Sequence, residues 1–137
     1  MKLQTASRLA LYAILELAEK PDQQFSRMEI ARKFNVSSNH LSKVMRELGK
    51  AGLVDATRGV GGGYWFIGNA KRTTLLDIIK IFEPFPFDNS KDRHEPGQDT
   101  EVGKALDIVL DEIGETINAT LDTISINTML SIKDRNK

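Results

Sequence analysis

Apolar residues return every three or four positions near the start of the chain: Ala6, Leu9, Ala10, Ala13, Ile14, Leu17 and Ala18. Arg8, Tyr12, Glu16 and Glu19 stand between or opposite them. This repeat predicts an amphipathic helix from about Thr5 to Glu19, stopped ahead of Pro21. A second, shorter pattern begins at Ser26. Ser26 and Glu29 have capping-box spacing, and Ile30, Ala31 and Phe34 give the helix that follows its inner face. Asn35 and Val36 form a turn, asparagine being tolerant of the left-handed conformation. Ser37 then caps a third helix whose inward stripe is Leu41, Val44, Met45 and Leu48, ended by Gly52.

Beyond Gly52 the period shortens. Leu53–Thr57 and Tyr64–Ile67 are rich in β-branched and aromatic residues and flank Arg58-Gly59-Val60-Gly61-Gly62-Gly63, which predicts a β-hairpin. Thr74 and Asp77 repeat the capping-box spacing before LLDIIKIFE, where six of nine residues are large and apolar. That helix is expected to be buried on more than one side and to stop at Pro84 and Pro86. Asp88 to Asp99 is polar and aperiodic, a loop. From Glu101 the positions Val102, Leu106, Val109, Ile113, Ile117, Leu121 and Ile124 step by four or three. They mark one long amphipathic helix whose outer face carries Asp107, Asp111, Glu112 and Glu115. The last residues, SINTMLSIKDRNK, read as a short turn or helix before a polar, frayed end.

The predicted fold is therefore mostly α with a small β-hairpin, a winged helix-turn-helix followed by a long C-terminal helix. Residues 1–83 form the winged helix-turn-helix domain, 84–98 a loop, and 99–137 a dimerisation helix and tail. Composition fits a single soluble domain: 137 residues, 40% hydrophobic and 28% charged. The net charge of zero conceals an asymmetry. Residues 1–72 hold 12 Lys+Arg against 6 Asp+Glu, whereas residues 73–137 hold 7 against 13. A basic half suited to polyanions precedes an acidic half with another task. The chain has no cysteine, so disulfides and thiolate-held metals or clusters are excluded within it. The apolar run at the N-terminus is broken by Glu16 and Glu19, and no stretch is long enough to span a bilayer. The expected setting is cytoplasmic, with no membrane contact.

Chemistry concentrates on the third helix. The residues left by its buried stripe include Ser38, Asn39, His40, Ser42, Lys43, Arg46 and Glu47. Short hydrogen-bonding side chains at the N-terminal end, followed by cations, suit a recognition helix in the major groove of double-stranded DNA. Asn39 can pair with adenine, and Ser38 and Ser42 with several bases. Arg46 is suited to a phosphate. Arg58 precedes glycines that let the backbone approach a duplex and let the guanidinium enter a narrow minor groove. A nucleotide-binding reading of GVGGG fails on context, since a strand follows it and no Lys-Ser/Thr pair does. His40 and His94 are the only histidines and nothing frames a nucleophile, so no catalytic residue and no enzyme activity is expected.

MKLQTASRLALYAILELA, VSSNHLSKVMRELGKAGLV and RGVGGGYWF together resemble the Rrf2 family of bacterial transcription regulators, with TTLLDIIKIFEP matching the segment after the wing. The resemblance covers residues 1–85 by motif and 99–124 by architecture. It is nearest the nitric-oxide-sensitive repressor branch, where a V-S-x-N-H helix start also occurs. It implies a homodimeric repressor or activator, taken here as a repressor, reading a palindromic operator. Ser37, Ser38, Asn39, His40, Ser42 and Lys43 would be the helix contacts and Arg58 the wing contact. It also implies that the long helix pairs with its twin. Val102, Leu106, Val109, Ile113, Ile117 and Leu121 are the seam such a pair would use, placing two recognition helices roughly 34 Å apart.

The chain departs from the family's cluster-binding members, which carry three cysteines before the long helix. Asn89, His94 and Thr100 stand near those positions, and none replaces a thiolate. No cofactor and no metal is expected. Two accounts of regulation stay open. Either the hydrophobic junction at Ile79, Phe82, Phe85 and Phe87 takes an unknown small-molecule effector, simple core packing being its plainer explanation, or the protein binds DNA constitutively. The alternative from another class is a winged-helix protein-interaction module that does not bind DNA.

Overall fold

The computed structural model describes residues 2–83 and 94–136. Its helices are α1 (Thr5–Glu19), α2 (Arg27–Lys33), α3 (Ser38–Lys50), α4 (Leu75–Phe82), α5 (Glu101–Leu121) and α6 (Ile126–Arg135). Strands β1 (Val54–Thr57) and β2 (Gly63–Phe66) lie between α3 and α4.

Helix α1 is the hub, contacting α3, α4, α6 and β2. Its periodic positions Leu9, Ala10, Ala13, Ile14, Leu17 and Ala18 are all buried, and so is Ser7. Side chains such as Ile14, Leu17, Ile30, Leu41, Met45, Leu48, Ile78, Ile79 and Ile126 are fully enclosed. Each stabilises the fold by about 1.5–3 kcal/mol at most. Gln4, the residue before α1, supplies no side-chain cap. Glu83, at the end of α4, does so instead: its carboxylate accepts from the Gln4 backbone N–H at 3.2 Å and from the Ser7 hydroxyl. The one fully buried serine of α1 is thereby satisfied.

Strands β1 and β2 pair antiparallel, from Val54 opposite Phe66 to Thr57 opposite Gly63. Phe25 adds a third, one-residue bridge to Tyr64. This edge adjoins the cap of α2. Ser26 Oγ accepts from the Glu29 N–H at 3.1 Å, but the expected return bond from the Glu29 side chain is not made. Gly63 lies close to this edge: a Cβ on it would stand 3.2 Å from the Ser26 nitrogen. At α4 both halves of the box form, through Thr74 and Asp77.

The C-terminal segment is more ordered than its pattern indicates. Residues 126–135 form three turns of helix, and α6 packs against α1. Residues 124–127 are stitched to residues 70–75, the run that leads into α4 and its first residue. Leu75 N–H donates to the Ile124 carbonyl, Ile126 N–H to Thr73 and Asn127 N–H to Ala70, each at 2.9 Å. Lys133 on α6 pairs with Glu19 on α1. The end of the chain thus closes the core of the N-terminal half.

Helix α5 is capped by Thr100, whose Oγ1 accepts from Gly103 N–H at 3.0 Å. Its apolar seam divides. Leu121 is buried and Ile117 half-buried against this chain's own core. Val102, Leu106, Val109 and Ile113 are 81%, 56%, 51% and 50% exposed, a continuous apolar strip without a partner among the described residues.

Candidate nucleic-acid interface

The connection between α2 and α3 is built as its residue types require. Asn35 sits at φ +54°, and the Val36 N–H returns to the Ala31 carbonyl at 3.0 Å. Ser37 Oγ accepts from His40 N–H at 3.0 Å and so starts α3. With Leu41, Val44, Met45 and Leu48 buried beneath it, α3 turns Asn39, Lys43 and Arg46 outward, and Ser38 and Ser42 are half-buried at the edge of the same surface. His40 is different. Its ring is half-buried, and Nε2 is shielded from solvent with no hydrogen-bond partner among the described residues.

A cleft of about 810 Å³ separates α3 from the wing. Ser42 and Arg46 line it from α3, Asp55 and Thr57 from β1, and Arg58 from the hairpin tip. Of the sequence-predicted DNA-facing residues the cleft gathers Ser42, Arg46 and Arg58; Ser37, Ser38, Asn39, His40 and Lys43 lie outside its lining. The tip itself depends on glycine. Gly59 and Gly61 have φ +92° and +80°, and a Cβ on Gly62 would stand 2.4 Å from the Thr57 carbonyl oxygen.

Two residues of α2 belong to this surface although the sequence pattern passes over them. Arg27 and Met28 line the cleft. Arg27 Nη1 donates to Ser42 Oγ at 3.1 Å, and Ser38 Oγ donates to Met28 Sδ at 3.6 Å. The available signal was a cation on the first residue of a helix, where the helix dipole disfavours it. Among the described residues Arg27, Lys43, Arg46 and Arg58 have no carboxylate partner. Arg8 is instead held on α1, donating to Tyr12 Oη at 3.1 Å, with its guanidinium 6.0 Å from the ring centre.

The other predicted sites are placed as follows. Ile79 is completely buried and Phe82 packs half-buried against the core, while Phe85 and Phe87 lie outside the described residues. His94 stands 3.9 Å from Asp99, with both side chains largely exposed. Among the described residues no three His, Asp or Glu side chains are placed to hold a metal ion. With no cysteine in the chain, the donor set does not fit a thiolate-held iron–sulfur cluster. Among the described residues no helix is long and apolar enough to cross a membrane.

The chain is similar to known proteins along most of its length. The chain is 47% identical over 135 residues to BadM of Rhodopseudomonas palustris, named as an HTH-type transcriptional regulator, a match covering 98% of this chain and 84% of that one. It is 33% identical over 86 residues to the HTH-type transcriptional regulator IscR of Cereibacter sphaeroides, covering 61% of this chain and 56% of IscR. Among solved structures it resembles IscR of T. potens, with a TM-score of 0.76 at 25% identity, covering 100% of this chain and 91% of the other. It also resembles the oxidised form of Staphylococcus aureus CymR, with a TM-score of 0.72 at 28% identity, covering 95% and 96%. These relatives are named as regulators, not enzymes. Residues 3–132 match the family described as Rrf2, iron-dependent transcriptional regulator. The chain belongs to the Rrf2 family and is a DNA-binding transcriptional regulator of winged helix-turn-helix build.

Proposed function

We propose that the protein works as a homodimeric repressor that docks α3 in the major groove of a palindromic operator and the wing in the adjacent minor groove. The observation that carries this reading is the cleft between α3 and the wing, bordered by Arg27, Arg46 and Arg58, none of which has a carboxylate partner among the described residues. A phosphate backbone supplies the missing anions. Ser37, Ser38, Asn39, Ser42 and Lys43 face the base edges and flanking phosphates, and Arg58 enters the minor groove. His40, whose backbone N–H is taken by Ser37 Oγ and whose Nε2 is covered, serves the start of the helix more than it serves a base contact.

The dimer follows from α5. The strip Val102, Leu106, Val109 and Ile113, widened by Leu110, is too apolar and too continuous for a helix meant to face water. A second copy of the same strip covers it and gives the two-fold symmetry that a palindromic site mirrors. Repression follows when such a dimer occupies a promoter and blocks polymerase.

Selection of bound fragments from a random-sequence library tests the reading. A palindrome with half-sites one helical turn apart, or a multiple of it, is the expected product. Enrichment of single half-sites, or of none, would overturn it.

A further inference from the structure

The first two residues of α2 each take hold of a serine on α3. Arg27 Nη1 donates to Ser42 Oγ at 3.1 Å, and Ser38 Oγ donates to Met28 Sδ at 3.6 Å. The two serines are one helical turn apart, about 6 Å along the axis, on the surface proposed to meet base edges. Their bonds have opposite polarity.

A serine hydroxyl has one proton to give and two lone pairs to receive with, and its proton turns to suit its surroundings. Unconstrained, it is therefore a poor reader of sequence, accepting from an amino group as readily as it donates to a carbonyl. Arginine has only donors. With Arg27 occupying a lone pair of Ser42 Oγ, the hydroxyl proton must go elsewhere. The usual outlet for a serine inside a helix is the carbonyl four residues back. Thr116, Thr120 and Ser131 make that bond in this protein. Ser42 does not: its bond from Arg27 is its only side-chain hydrogen bond among the described residues, and its proton has no acceptor there.

We propose that Arg27 is a specificity-determining residue acting through Ser42: it fixes Ser42 as a hydrogen-bond donor toward the major groove. Ser42 then selects a base pair presenting an acceptor at that point, namely guanine N7 or O6, adenine N7 or thymine O4. The amino groups of cytosine and adenine, which only the remaining lone pair of Ser42 could receive, would leave its proton unpaired and are disfavoured. The charged donor also polarises the hydroxyl and strengthens the bond it gives. Ser38 is set the opposite way. Its proton is directed to a thioether, which leaves its lone pairs to receive an amino group, although the weaker sulfur contact holds this polarity less firmly. The remaining N–H groups of Arg27 stay available to a phosphate. This explains why a cation is placed on the first residue of α2 against the helix dipole.

The inference rests on the docking of α3 proposed above, and its test separates the two. Bound sites are selected from a randomised library with the wild-type protein, Arg27→Met, Arg27→Lys, Ser42→Ala and the Arg27→Met/Ser42→Ala double variant. Thermal melting of each variant confirms that it is folded. The wild type is expected to show a preference of about five- to tenfold at the base pair facing Ser42, the scale of one hydrogen bond to a fixed donor. Ser42→Ala and Arg27→Met should each flatten that same position, and the double variant should flatten it no further. Arg27→Lys, which keeps a cationic donor, should retain most of the preference. If the preferred base is a purine selected through N7, its 7-deaza analogue should weaken the wild type and leave Arg27→Met unaffected. Should Arg27→Met lower affinity equally for every sequence with the preference at that position intact, Arg27 is a phosphate anchor only and the inference falls. If the wild type enriches no sequence at all, the docking of α3 falls with it.

Discussion

Phe25 and Tyr64 exchange both of their backbone hydrogen bonds, at 2.9 and 2.8 Å, and so tie the wing to the residue that leads into α2. A two-stranded hairpin alone would be marginal in water. Here the bridge fixes it against the helix-turn-helix that it is proposed to accompany onto DNA. The approach is close enough to need glycine next door: a Cβ on Gly63 would stand 2.6 Å from the Phe25 carbonyl oxygen and 2.9 Å from its carbon, both backbone atoms. Gly63→Ala is therefore expected to cost about 1–3 kcal/mol of stability, read from a urea unfolding curve. It should also reduce operator affinity in excess of the unfolded fraction, because the wing shifts. An alanine variant as stable as the parent would show that the Phe25 segment yields freely.

The start of α3 hangs on one side chain. Ser37 Oγ takes the His40 N–H at 3.0 Å, and no acidic residue occupies the first turn to assist it. Ser37→Ala should lower stability by about 1 kcal/mol without DNA present, and Ser37→Asp should restore it. Thermal melts of the three proteins decide this. Unchanged melting in Ser37→Ala would mean that tertiary packing alone defines the end of the helix.

Much of the helix-turn-helix is legible in the chain itself. The stripe Leu41, Val44, Met45 and Leu48, the cap Ser37 and the left-handed Asn35 all express local rules, and all occur as the pattern requires. What escapes a periodic reading is what depends on distant backbone. Helix α6 shows a weak pattern, and its order comes from bonds between residues 70–75 and 124–127 that no side-chain period reveals. The seam of α5 reads as one stripe, yet the fold assigns Leu121 to the core and leaves Val102 in the open, because α5 packs against α4 and its buried apolar residue is at its C-terminal end. Arg27 was readable only as an anomaly, a cation at the wrong end of a helix.

Because α6 closes the core, its removal should act on the whole domain. Ile126 is completely buried, and Ile126→Ala is expected to destabilise the protein by about 2–5 kcal/mol, whereas a residue on a frayed tail would cost nothing measurable. The tie between α6 and α1 also gives a pH signature. The hydrogen bond to Glu19 raises the Lys133 ammonium above its ordinary value of 10.5. A raised lysine contributes its stability in full below pH 10.5 and loses it as the pH climbs through the folded-state value. Alkaline titration of the melting temperature should thus fall earlier and further in the wild type than in Lys133→Met.

The exposed strip of α5 predicts a separable defect. Leu106 is 56% exposed and makes no part of the core, so Leu106→Glu should leave the fold of each chain intact. Placed at a two-fold contact it sets two carboxylates against apolar surface, and sedimentation velocity should show a monomer where the wild type gives a dimer. Binding to a full palindrome should then drop to the level of an isolated half-site. A variant that sediments and binds as the wild type does would remove α5 from the interface.

Arg46 and Asn39 separate the two kinds of contact that α3 is proposed to make. Both are exposed, but Arg46 lines the cleft beside the wing whereas Asn39 stands in the first turn of the helix. A phosphate contact adds affinity without sequence preference and releases about one counterion, so Arg46→Ala should weaken every duplex alike and reduce the slope of log affinity against log salt by about 0.9. A base contact behaves differently. Asn39→Ala should leave the salt slope unchanged and relax the preference at particular positions, most sharply for an adenine that its amide would pair. Titrations at several salt concentrations on matched and mismatched duplexes distinguish these outcomes. If the two variants exchange behaviours, α3 lies in the groove in a different rotation about its axis; if neither differs from the parent, the reading surface is not on α3.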